Sequence, residues 1–169
     1  MGEASPMNRA AAISQLREQG WTVAEQAGRT FRLPPTIADR YPRLPGSLVE
    51  FLSGLTQCVD GSQTIWFLSQ SDYEGTSGAA FRWDEWEQLS LDAARGDAKI
   101  ITEIRAFWDS HFPFMFSVHS GYAYHAVCTD RDRFGQIVEG YEPEFEEALP
   151  VADSFESFMA TFLNTKRNT

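Results

Sequence analysis

The sequence predicts one α+β domain: an antiparallel sheet of four to six strands, ending in a C-terminal meander, with helices packed mainly on one face. Three observations carry this expectation. Residues Phe112 to Glu142 read FPFMFSVHSGYAYHAVCTDRDRFGQIVEGYE, two aromatic, β-prone runs joined at His119-Ser120-Gly121-Tyr122, then a polar turn and a third run from Gln136 to Glu139. Amphipathic helical stripes stand before and after this stretch, and a meander needs such cover because it cannot bury both of its faces alone. The length of 169 residues, 43% hydrophobic and 14% aromatic, suits one core, so residues 1–169 are expected to form a single domain with loose ends at 1–5 and 164–169.

In chain order, Ser5-Pro6 has the form of a helix start, and Ala10, Ile13 and Leu16 recur on one face until Gly20. Prolines 34, 35 and 42 punctuate the next stretch, which has room for a short strand near Thr30 to Leu33 and one helical turn near Ile37 to Tyr41. Leu48, Phe51, Leu52 and Leu55 then keep the i, i+3, i+4, i+7 spacing of a helix face behind Pro45. Thr64 to Leu68 reads as a strand after the Asp60-Gly61 turn, and Tyr73 to Ala80 as a glycine-rich loop. Trp83, Trp86, Leu89 or Ser90, and Ala93 mark a helix closed by Gly96. Asp97 caps the next one, whose stripe is Ile100, Ile101, Ile104, Phe107 and Trp108. After the meander, Asp153 with Glu156 forms a capping-box pattern ahead of Phe155, Phe158, Met159, Phe162 and Leu163.

Two segments resemble a known family. LPGSLVEFL resembles the leucine-proline helix of the SUKH superfamily, and FPFMFSVHSGYAYHAVCTDRDRFGQIVEGYEPEFEEALPVADSFESFM is similar to that family's closing strands, acidic stretch and final helix. Together they span residues 44 to 163. The resemblance implies a SUKH-like fold and protein binding without a shared catalytic mechanism. Bacterial members are antidotes to toxin domains, often nucleases, and fungal members are regulatory scaffolds of cell-wall assembly.

The chemistry of the residues is consistent with a non-enzyme. His111, His119, His125 and Cys128 invite a metal reading, but a two-residue turn at Ser120-Gly121 would pair His119 with Tyr122 and Phe116 with His125, sending His119 and His125 to opposite faces. Asp130-Arg131-Asp132-Arg133-Phe134-Gly135 opens like a calcium loop but has Phe134 and Tyr141 where ligands belong. Gly75-Thr76-Ser77-Gly78 lacks the spacing of a nucleophile elbow. No catalytic residue, cofactor or metal is therefore expected. A hydrolase using carboxylates or His125 ranks lowest among the readings, because no nucleophile, base and orienting group can be assembled.

Charge points to partners. With 24 acidic and 14 basic residues the formal charge is −10, which disfavours nucleic acid and anionic membrane and favours a basic protein. Two cysteines, Cys58 and Cys128, no secretion signal in MGEASPMNRAAAIS and no apolar run near the roughly 20 residues of a membrane span predict a soluble cytoplasmic protein. The same hairpin register puts Phe114, Phe116, Val118, Ala123, His125 and Val127 on a core face. It puts Met115, Ser117, His119, Tyr122, Tyr124, Ala126 and Cys128 on a semi-polar face, which either meets a partner or is lined by residues 70 to 108.

Glu139, Glu142, Glu144, Glu146 and Glu147 follow within nine residues. The expected partner surface thus comprises His119, Tyr122, Tyr124, Asp130, Asp132 and these five glutamates. The expected function is that of an immunity protein binding a cognate toxin domain, for example a basic nuclease. The alternative is a SUKH-type scaffold binding a cellular enzyme.

Overall fold

A computed structural model describes residues 7–167. Within them seven strands form one sheet in the order of the chain, each antiparallel to the next: β1 (Thr22–Glu25), β2 (Leu55–Val59), β3 (Ile65–Phe67), β4 (His111–Ser117), β5 (Ala123–Cys128), β6 (Ile137–Tyr141) and β7 (Leu149–Ala152). Among the described residues seven helices accompany them: α1 (Arg9–Glu18), α2 (Pro35–Arg40), α3 (Gly46–Leu52), α4 (Gln70–Glu74), α5 (Glu85–Ala93), α6 (Ala98–Asp109) and α7 (Phe155–Arg167). The fold is the expected single-domain α+β class, and the meander occupies its centre. The sheet is wider than the expected four to six strands. None of the helices among the described residues is long and apolar enough to cross a membrane.

Helices cover both faces of the sheet rather than mainly one. Tyr124 and His125 are neighbours on β5 and point to opposite sides. Trp108 of α6 packs on Tyr124 with ring centroids 4.9 Å apart, and Phe158 of α7 packs on His125 at 5.0 Å. On the α7 side Phe51, Phe67, Phe114 and Phe155 close the core, and on the α5–α6 side Trp86 and Phe116 do so. β4 is buried from His111 to Phe116, which is why its sequence shows no alternation.

The helices start where local chemistry offers an acceptor. Asn8 caps α1 by accepting from the Ala11 N–H, and Asp97 caps α6 by accepting from Ile100. The Ser5-Pro6 start lies outside the described residues. Ser154, not Asp153, accepts from the Ser157 N–H at the start of α7, and that helix continues through Arg167, so 164–167 are helical rather than a loose end.

Three further expectations are corrected. No strand forms at Thr30 to Leu33; β1 lies earlier, at Thr22–Glu25. Leu55 leaves the α3 stripe and opens β2, because Gly54 breaks the chain direction at φ +77°. A Cβ at Gly54 would stand 2.8 Å from the Gln26 carbonyl oxygen, so the β1–β2 approach requires glycine. Part of the expected 73–80 loop is α4, capped by Ser69 and Asp72 in a reciprocal box.

Candidate functional site

The β4–β5 connection decides which side chains reach the surface. It is the five residues 118–122 rather than the two-residue turn Ser120-Gly121, and Ser117 pairs with Ala123, Phe116 with Tyr124 and Met115 with His125. A bulge between Pro113 and Met115 shifts the register further along β4, at the proline that cannot donate to the ladder. Relative to the expected register the strands slip by one residue, which exchanges the faces assigned to β5.

Tyr124 is consequently fully buried, and its hydroxyl donates to the Phe145 carbonyl. It is not a partner contact. Tyr122 is half-buried and stacks on Trp86 at 4.7 Å. The supposed open tyrosine face is instead lined by Phe81, Trp86 and Trp108, the alternative in which residues 70 to 108 cover it.

His125 moves to the α7 side, where it faces Glu139 across the β5–β6 ladder. Its Nε2 lies 3.3 Å from Glu139 Oε2, and the Tyr141 hydroxyl donates to the other carboxylate oxygen. The hydrogen bond from His125, reinforced by that from Tyr141, holds the Glu139 carboxyl below its ordinary value although partial burial opposes it. Donating to the carboxylate pushes the Tyr141 phenol up to about 12. These groups, with Ser117, His119, Met115 and Phe162 of α7, line a cavity of about 270 Å³. No hydrogen bond joins Ser117 to His125; the serine hydroxyl accepts from the His119 N–H at 3.3 Å. The cavity therefore offers a base and its orienting acid, with no nucleophile held against them.

The acidic segment after β6 divides into inward and outward residues. Phe145 is buried and stacks on Trp86 at 5.4 Å, and Glu146 accepts from Ser90 Oγ at 2.8 Å and Trp108 Nε1 at 2.9 Å. Glu146 is thus a structural acceptor and leaves the partner surface. Glu142, Glu144 and Glu147 are exposed on the same loop. Asp130 and Asp132 sit in the turn before β6, at the opposite end of that strand, where Asp130 accepts from Arg133 Nε at 3.2 Å. The expected surface is therefore split, and only its β6–β7 part is continuous.

Sequence reasoning missed the apolar component of that part. Tyr141, Leu149 and Val151 are 48%, 58% and 43% exposed, and they make up three of the five exposed large hydrophobics among the described residues. They lie on β6 and on the edge strand β7, flanking the loop that carries Glu142, Glu144 and Glu147. The available signal was Leu149-Pro150-Val151, an apolar strand whose proline suits an edge. A wider recess of about 820 Å³ lies over β1–β3 beside Trp66 and Phe81, but its carboxylate, Asp72, is engaged by the Ser69 N–H and hydroxyl. No protein-family model and no curated protein matches this chain.

Proposed function

We propose that this protein is a non-enzymatic immunity protein that binds and neutralises a cognate bacterial toxin domain through the β6–β7 corner of its sheet. The observation that carries the reading is the apolar strip of Tyr141, Leu149 and Val151 beside the exposed Glu142, Glu144 and Glu147. An apolar centre with a charged rim is the anatomy of a protein interface, and an acidic rim complements a cationic surface evolved to hold phosphate. The formal charge of −10 adds long-range steering of a basic partner. The reading also rests on the resemblance of residues 44 to 163 to the SUKH superfamily.

Co-expression with a candidate toxin domain, one encoded next to this gene where there is one, tests the proposal. A stoichiometric complex that weakens with salt, together with restored growth, is the expected result. Absence of both binding and rescue would remove the immunity reading.

A further inference from the structure

We infer that the cavity bounded by His125, Glu139, Tyr141 and Phe162 is the receptor for one arginine side chain presented by the protein partner, an inference that rests on the reading above. Its volume of about 270 Å³ is below the ~300–1,000 Å³ typical of drug-sized ligands and suits a single inserted side chain. Ile65, Met115, Ala123 and Phe162 supply apolar wall for a methylene stem.

The cavity wall carries a carboxylate: Glu139 accepts from the Tyr141 hydroxyl and lies 3.3 Å from His125 Nε2. An ionised carboxylate has about four acceptor sites, more than the Tyr141 hydroxyl and the His125 contact occupy, so sites remain for an incoming guanidinium. A second carboxylate stands at the rim: a Cβ built on Gly121, a cavity residue, would lie 2.9 Å from Glu142 Oε1. The exposed Tyr141 ring adds a cation-binding face beside the carboxylate. Arginine fits better than lysine because its planar fork can meet a carboxylate with two N–H donors at once. Such a side chain would anchor the partner beside the apolar strip, where interface hot spots concentrate.

The test needs no toxin. Titrate the protein with N-acetyl-arginine methylamide and with its neutral citrulline counterpart, following backbone amide resonances of Ser117, Ala123 and Tyr141. The arginine compound should give saturable shifts at these residues and bind about tenfold or more tightly than citrulline, the span of one charge-assisted hydrogen bond. Glu139→Gln should abolish the preference. Ser117→Leu, which fills the cavity and leaves the Glu139 charge in place, should abolish binding itself. Equal binding of citrulline, no binding of either compound, or full retention in Ser117→Leu would overturn the inference. If arginine binds but the toxin does not, the immunity reading fails alone; if the toxin binds but arginine does not, the anchor fails alone.

Discussion

Replacing Gly140 by alanine should destabilise the protein although the position lies within a regular strand pair. Gly140 is the ladder partner of Tyr124, and a Cβ built on it would stand 2.6 Å from the Cε1, Cζ and hydroxyl oxygen of that ring, about 1 Å inside ordinary contact distance. The ring has nowhere to go: Tyr124 is 0% exposed, lies against Trp108 and is tied by its hydroxyl to the Phe145 carbonyl. Overpacking of this kind costs about 1–3 kcal/mol, and losing the hydrogen bond adds about 1 kcal/mol. The gain from a less flexible unfolded chain returns about 0.4–1 kcal/mol. A net loss of about 1–3.5 kcal/mol should lower the urea midpoint at unchanged slope and reduce Tm by about 2–14 °C for a chain of this size. In a Tyr124→Leu background, where the ring is gone, the same alanine should cost much less. A Gly140→Ala protein within 0.5 kcal/mol of wild type, or an equal cost in both backgrounds, would refute the reasoning.

Three other outcomes follow from the same structure. Glu142, Glu144 and Glu147 changed together to glutamine should slow association with the proposed toxin partner and flatten its salt dependence while leaving stability within about 0.5 kcal/mol, measured by stopped flow and urea titration. Arg40→Ala should cost about 3–5 kcal/mol in urea unfolding, because Arg40 meets both oxygens of the buried Glu87, at 2.8 and 2.6 Å, and its loss strands that carboxylate. Burial lowers the His111 pKa below 6.5 despite its hydrogen bond to the Phe107 carbonyl, so the folded state favours neutral imidazole. The unfolded chain then binds the extra proton first; this contribution is full above pH 6.5 and is lost as the pH falls through and below that value. His111→Gln should flatten the stability profile in this window, whereas the loss tied to the lowered Glu139 begins only below 4.5.

What could be read from the sequence was whatever local chemistry determines. The α7 stripe of Phe155, Phe158, Met159 and Leu163 and the Asp97 cap of α6 need only helical spacing and one side-chain acceptor. The hairpin register needed more. Register is legible when one face is wet, but β4 is buried on both faces, and the bulge at Pro113 and the five-residue connection both alter the count. Ser120-Gly121 resembles a tight turn, yet Gly121, at φ +97°, serves the approach of Glu142 instead. β7 was missed for the opposite reason: Leu149-Pro150-Val151 is a weak, proline-interrupted signal, and only pairing with Val138 and Glu139 makes it a strand.

That one-residue slip relocates the role of Tyr124 without removing it from function. It lies one layer beneath the candidate interface, where its hydroxyl, with Trp86 on Phe145 and Ser90 and Trp108 on Glu146, fixes the loop that displays Glu142, Glu144 and Glu147. A loop held before binding loses less conformational freedom when a partner docks, so its anchors influence affinity without touching the partner. The two kinds of residue should separate kinetically. Glutamine at the exposed positions alters the long-range field and hence the association rate. Tyr124→Phe keeps every surface charge and loosens the loop by one hydrogen bond, so it should leave association unchanged and speed dissociation about two- to tenfold. An unchanged dissociation rate would mean that the loop is ordered by the partner instead of by the core.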